Sequence, residues 1–343
     1  MLARTPESPG GAPIEVLFLL LPDSLVLDWA GPAEALRSAN RHLAALGQPP
    51  RFRLRFIGVR ADARSSVGAM ISGLEPLPAA IVRPGWLVLV GQPGQVIALD
   101  ADDDGRAALH WLRGLCLAEG ELELMCVCAG AVIAAHAGLL AGRRATTHHQ
   151  HLDELQAAEP GCEVIANRVF VHDGPVWTSA GVTCGIDLAL HRIAAECGAP
   201  LAAQVAQSLV VALRRGPQDP ELSPFLLHRD HLHPALHRVQ DALSQAPQQD
   251  WPLAAMAAIA HTSPRHLTRL FADHAGTSPQ DYLRSIRLSV AQAALQAGRS
   301  VTQAAALAGF SSDTQLRRAW RQAGLAASPG AGRHAGRQAS IHG

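Results

Sequence analysis

Apolar positions along the chain fall into two regimes. Over residues 14–213, compact β-rich apolar runs alternate with longer stretches of helical length and Ala/Leu content. Residues 14–21, 52–59, 86–90, 122–127 and 176–178 predict strands, and residues 33–46, 104–117, 131–140 and 186–197 predict helices. Strands that alternate with helices imply a mostly parallel sheet covered by helices, a doubly wound, flavodoxin-like α/β domain over residues 12–213.

The alternation stops in RRGPQDPELSPFLLHRDHLHP, which has four prolines and no sustained apolar period, so residues 214–235 read as a linker. Everything from 236 to 327 has helical periodicity, predicting an all-α domain. Residues 328–343 lack the apolar content for a core and read as a disordered tail.

Within the helical half one arrangement occurs twice. A short helix over 253–260 is followed by the turn His261-Thr262-Ser263, where Ser263 suits an N-cap and Pro264 the first helical position. Leu267, Leu270 and Phe271 form the buried stripe of the next helix, which turns Arg265, His266, Thr268 and Arg269 away from it. The second copy has Ser300 capping 301–308, Gly309 in the turn and Ser312 capping 313–322. There Leu316 and Trp320 face inward, and Thr314, Gln315, Arg318 and Arg321 face outward. A single basic helix is usually a solvated surface; two helix–turn–capped-helix units in tandem point to double-stranded DNA.

Charge sharpens this picture. The chain has 29 basic and 29 acidic side chains and no lysine, so every fixed cation is an arginine. Residues 234–343 carry 11 arginines against five carboxylates, whereas residues 1–233 carry 18 against 24. A basic C-terminal half suits a phosphate-rich partner.

RHLTRLFADHAGTSPQDYLRSIRL and AALAGFSSDTQLRRAW resemble the two helix-turn-helix units of the AraC/XylS family over about 90 residues. The resemblance implies a long connecting helix, here residues 280–297, about 27 Å long at ~1.5 Å per residue. That length suits recognition helices in successive major grooves about 34 Å apart. GLAASPGAGRHAG departs from the family's ending, which weakens the last helix of the second unit.

In the first half Cys128 ends an apolar strand and precedes Ala129-Gly130 and an Ala-rich helix. Such a turn presents its side chain at the carboxyl edge of the sheet, where a helix N-terminus can lower a thiol pKa and bind an anion. MCVCAGAVIAAHAGLLAGRRATTHHQHLDEL, RVFVHDGPVWTSAGVTCGIDLAL and LPDSLVLDWAGPAEAL resemble the ThiJ/PfpI branch of the class I glutamine amidotransferase-like fold. Joined to an AraC-type half, the chain resembles the GlxA-like regulators. That resemblance implies a homodimeric, ligand-responsive regulator that meets RNA polymerase if it activates. It places Cys128 at the family's elbow cysteine, His148 at its pocket histidine, Asp28 at its pocket acid and Gly91 at a backbone donor of an oxyanion-type site, with Ala129 beside them.

Cys128, His148 and Asp28 are the parts of a covalent catalyst, and a cysteine-dependent hydrolase, hydratase or lyase is the alternative to a sensor; a third reading is a dimerisation module that needs no ligand. Asp187 is expected to order a helix start, and Cys126 to face away from Cys128. His148, His149 and His151 form one histidine cluster and His228, His231, His233 and His237 another. Neither has a companion carboxylate or thiol in its pattern, so no metal is expected, and no cofactor. The apolar run at 16–21 follows Glu15 and lacks the flanks of an export signal, no run reaches the ~20 residues that span a bilayer, and the six cysteines form no framework. A cytoplasmic protein with reduced thiols is the expectation.

Overall fold

The computed structural model describes residues 12–94, 99, 103–211, 215–217, 219–323 and 325. The expected tail at 328–343 lies outside them. The chain divides into two compact units between Glu221 and Leu222, so the expected linker is shared between the units.

The first unit is built on strands β1 (Ile14–Leu19), β2 (Phe52–Gly58), β3 (Asp62–Arg64), β4 (Met70–Ser72), β5 (Glu75–Pro76), β6 (Gly85–Leu89), β7 (Leu122–Val127), β8 (Arg144–Ala145), β9 (Glu163–Val164), β10 (Phe170–Asp173) and β11 (Val176–Ser179). Seven of them form one sheet in the order β10-β11-β7-β6-β1-β2-β5, parallel except for the β10–β11 hairpin. The pairs β3–β4 and β8–β9 stand apart. Every residue of β1, β6 and β7 is buried, as expected of parallel strands covered on both faces. Helices α1 (Val26–Ala45), α2 (Asp103–Arg113), α3 (Gly130–His136), α4 (Leu152–Ala158), α5 (Thr183–Cys197) and α6 (Ala199–Ser208) supply that cover. α1, α5 and α6 pack on one another, while α3 packs against both α2 and α4.

Seen from β1, the chain adds β2 on one side and β6, β7 and β11 on the other, so the order reverses between β1 and β6. Ligands of doubly wound folds lie at the carboxyl ends of strands beside such a reversal. The segments leaving β1, β6, β7 and β11 therefore define where a site belongs.

The second unit contains α7 (Pro234–Gln245), α8 (Leu253–Ile259), α9 (Pro264–Ala275), α10 (Pro279–Gln296), α11 (Val301–Leu307) and α12 (Asp313–Gln322). Serines begin four of these helices: Ser263, Ser278, Ser300 and Ser312 each accept a hydrogen bond from the backbone N–H three residues on, a cap that contributes about 1 kcal/mol. Ser300 and Gln303 complete a capping box. Two separate cores result. Leu236, Val239, Leu267, Phe271, Tyr282 and Ile286 belong to the first; Leu288, Ala291, Ala304, Ala308, Leu316 and Trp320 belong to the second. α10 serves both, its first half in one core and its second half in the other. Gly309 forms the turn between α11 and α12 at φ +79°, where a Cβ would lie 2.6 Å from the Cα of Gln248, so both conformation and space require glycine.

Candidate functional site

Four strand ends converge in the first unit. Cys128, directly after β7, sits at φ +57° and is buried, its backbone N–H donating to Ser179 O at the end of β11 (3.0 Å). Gly181, at φ +95°, permits this: a Cβ there would lie 2.3 Å from the Cβ of Cys128. Asp28, in the first turn of α1, is fully buried; its Oδ1 accepts from Val182 N–H (2.8 Å) and its Oδ2 from Gly91 N–H (3.1 Å). The Cys128 thiol hydrogen-bonds to this carboxyl group and receives the N–H of Ala129. Cys128, Asp28, Gly91 and Ala129 are thus brought together at the reversal of strand order.

The electrostatics run against the activated thiol expected at this turn. Burial, reinforced by the charge of Asp28, raises the Cys128 pKa far above its usual range, and the Ala129 N–H offsets this only in part. The helix N-terminus therefore does not win, and near neutral pH the sulfur is a protonated thiol. Asp28 is also raised, by burial, against its hydrogen bonds from Val182, Gly91 and Cys128. The Gly91 N–H, expected to face an oxyanion, is donated to Asp28 instead. Cys126 is fully buried, and burial raises its thiol as well.

His148 reaches the same region by a different route. Thr147 Oγ1 donates to the carbonyl of Cys128 (2.8 Å) and Thr146 N–H to Thr178 Oγ1 (2.8 Å), which ties the turn after β8 to the elbow. No hydrogen bond joins His148 to Cys128 among the described residues. Its ring faces Glu221 instead, with Nε2 at 4.0 Å from Oε1, and burial together with His149 and His151 lowers its pKa to about 4. Neutral at physiological pH and unpaired with the sulfur, it is not placed as the base of a Cys–His pair.

Glu221 was not among the expected site residues, because it lies in the proline-rich stretch taken for linker. Its buried carboxylate accepts from His149 N–H (3.1 Å) and from His149 Nδ1 (2.8 Å). The reason for expecting no metal therefore fails for this cluster, since a carboxylate does join the histidines: His148, His149 and Glu221 have donor atoms within 4.8 Å of one another. Hydrogen bonding accounts for the group. His148 Nδ1 accepts from Gln150 N–H (3.4 Å), which puts the proton on Nε2, and His149 Nδ1 donates to the oxygen. The hydrogen-bonded arrangement calls for a proton on each nitrogen that faces Glu221, whereas a metal would call for their lone pairs.

Asp187 departs from expectation too. It lies in the second turn of α5, buried, and accepts from Arg215 through both oxygens, at 3.0 Å from N–H and 2.9 Å from Nε. Its task is to hold Arg215 rather than to begin a helix.

In the second unit, Arg265, Thr268 and Arg269 on α9 and Thr314, Gln315, Arg318 and Arg321 on α12 are exposed, and His266 is half-buried. Three of these side chains have local duties that periodicity does not reveal. His266 Nδ1 lies 2.9 Å from Arg269 Nη2, which steadies the guanidinium, and Gln315 Oε1 accepts from Ser311 N–H (2.7 Å) and Oγ (3.1 Å). Thr268 Oγ1 donates to Pro264 O (3.0 Å).

Known proteins divide along the same lines. Residues 86–195 match the model of the DJ-1/PfpI family, and residues 256–333 match that of a helix-turn-helix domain. The chain is 30% identical over 327 residues to the HTH-type transcriptional regulator CdhR of Pseudomonas aeruginosa, covering 91% of this chain and 89% of the relative. It is 33% identical over 309 residues to the HTH-type transcriptional regulator GlxA of Rhizobium meliloti, covering 89% and 91%. Isonitrile hydratase of Pseudomonas putida is 45% identical over 64 residues, 19% of this chain and 27% of that enzyme. A crystal structure of a ThiJ/PfpI family protein from Pseudomonas syringae superposes with a TM-score of 0.51 at 18% identity, covering 75% of this chain and 97% of the other, which establishes the fold. With two regulators matched over nearly their whole length and both family models satisfied, the chain belongs to the HTH-type transcriptional regulators that join a DJ-1/PfpI domain to an AraC-type helix-turn-helix domain.

Proposed function

We propose that this regulator is a cytoplasmic homodimer that reads its operator through α9 and α12 and responds to a small metabolite bound in the Cys128–Asp28 pocket. The observation that carries the reading is α10, which roots two capped helix-turn-helix units in consecutive cores while the arginines of α9 and α12 stay exposed. Arg265, Arg269, Arg318 and Arg321 serve phosphates and guanine edges; Thr268, Thr314, the Gln315 amide and His266 add neutral donors and acceptors to the same faces. If the protein activates transcription, RNA polymerase is its further partner. Among the described residues no helix is long and apolar enough to cross a membrane, in keeping with a nucleoid partner.

The pocket supports sensing better than catalysis. A nucleophilic cysteine needs a thiolate, an adjacent base and free oxyanion donors. Here the thiol is held protonated, His148 is turned to Glu221, and the Gly91 N–H is engaged by Asp28. The enzyme alternative draws on the short stretch shared with isonitrile hydratase and on the elbow conformation of Cys128. Genome-wide DNA capture with the purified full-length protein, followed by a metabolite screen on the recovered site, separates the two. One enriched sequence whose affinity responds to a metabolite is the expected result; failure to enrich any sequence overturns it.

A further inference from the structure

Residues 215–217 and 219–221 form a strap that is hydrogen-bonded to the first unit. Arg215 donates from its N–H and Nε to Asp187, from Nη1 to Glu221 O (3.1 Å) and from Nη2 to Thr183 Oγ1 (2.9 Å). Gly216 N–H donates to Asp219 Oδ2 (2.7 Å), and Val169 N–H donates to Asp219 O (3.0 Å). The strap ends on Glu221, 7% exposed, and the next residue, Leu222, begins the second unit.

What receives Glu221 is a converging set of donors on one turn. Oε1 takes the His149 backbone N–H and the His149 ring N–H, and Nε2 of His148 lies 4.0 Å away. Backbone and ring N–H groups aimed at one oxygen are how proteins bind a carboxylate, because charge-assisted hydrogen bonds of this kind are short and strong. The same carboxylate is close enough to the elbow for its charge to act on Cys128, so the turn and the elbow line one region.

We propose that the His148–His149 turn is a carboxylate subsite of the sensing pocket, that Glu221 of the chain's own strap fills it, and that a carboxylate-bearing effector acts by taking the place of Glu221. The inference rests on the sensing reading above and adds to it the chemical class of the effector and the moving part. Glu221 is the last residue of the first unit. Its displacement frees the chain immediately before the DNA-binding half, so occupancy is reported without any change in the sheet. A ligand that binds the turn no better than Glu221 does, at the high effective concentration of a tethered group, produces no signal.

The test uses full-length protein, with sodium acetate as probe and acetamide as neutral control at matched ionic strength, followed through the imidazole signals of His148 and His149 in NMR. In Glu221→Ala the vacated turn should bind acetate at least tenfold more tightly than wild type does, and acetamide should leave the signals unmoved. Glu221→Gln keeps the side chain's bulk but not its charge and should gain acetate affinity to a smaller degree than Glu221→Ala, whereas misfolding would give no saturable gain in either. Adding His149→Ala to Glu221→Ala should abolish the gain. Equal acetate response in wild type and Glu221→Ala, or equal response to acetamide, overturns the proposal. Metabolite-responsive operator binding is scored separately on the same preparations. If it persists while Glu221→Ala gains no acetate affinity, the subsite is wrong and sensing stands; if acetate binding is gained while no metabolite alters operator binding, sensing is wrong and the subsite stands.

Discussion

At the scale of the residue, the elbow shows how little a motif says about protonation. Cys128 stands where a strand meets a helix N-terminus, a place that can favour a thiolate, yet burial beside Asp28 decides in favour of the thiol. Cys128→Ser preserves most of the volume and a hydrogen-bond donor toward Asp28. It should therefore leave operator affinity and effector response within about twofold of wild type in an operator titration. Asp28→Ala removes the acceptor of the Gly91 and Val182 N–H groups; the Gly91 N–H is left buried without a partner, a loss on the order of 1–3 kcal/mol, while Val182 is itself exposed. It should lose the effector response while the second unit still binds DNA. A wild-type protein that turns the effector over, with Cys128→Ser inert, would return the thiol to chemistry. His148 gives a pH signature of its own. Unfolded it takes up a proton near pH 6.5, whereas in the fold it does so only near pH 4, held down by burial and by His149 and His151. Through that window the unfolded chain binds the extra proton, so this contribution to stability is present above about 6.5 and is lost as the pH falls toward 4. In urea unfolding, His148→Gln should show a smaller drop in midpoint between pH 7 and pH 4.5 than wild type; parallel curves would mean that His148 titrates normally.

At the scale of the element, legibility follows range. The helix-turn-helix units were readable because their signals are local: Ser263, Ser300 and Ser312 cap helices three residues away, and Leu267–Phe271 and Leu316–Trp320 repeat at helical spacing. β1, β6 and β7 were readable as apolar runs. The short β3, β4, β5, β8 and β9 were not, since two or three residues carry no period. The strap was hidden for another reason. Its prolines mark it as irregular, but its order comes from Asp187, Val169 and His149, which lie 28 to 72 residues away and which no local pattern connects to it. The same holds for the partner of the Gly91 N–H, 63 residues away on α1. On α9, Arg269 is exposed and braced by His266, a geometry suited to a bidentate guanine contact. Arg269→Ala should cost about 1–3 kcal/mol of operator binding and relax preference at a single base position. A uniform loss over all sequences with a shallower salt slope would reassign it to the phosphate backbone.

At the scale of the whole molecule, the surplus of arginine over carboxylate lies in the half that carries α9 and α12, while the acidic excess lies in the half that carries the Cys128 elbow. Such a division draws the second half toward DNA and keeps the first from binding it nonspecifically. The single helix common to both small cores has a mechanical meaning beyond packing. Because α10 is continuous from Tyr282 in one core to Ala291 in the other, it acts as a drive shaft that fixes the angular phase between the two helix-turn-helix units. One alanine inserted between Ile286 and Leu288 would turn the second reader by about 100° and advance it by ~1.5 Å. Four inserted residues make about 400°, within roughly 40° of the original phase. Operator affinity should therefore collapse toward that of a single unit with one added residue and partly return with four, a periodicity measurable by gel shift on a fixed site. A loss that grows steadily with insertion length would show the two readers to be phased by DNA rather than by the shaft.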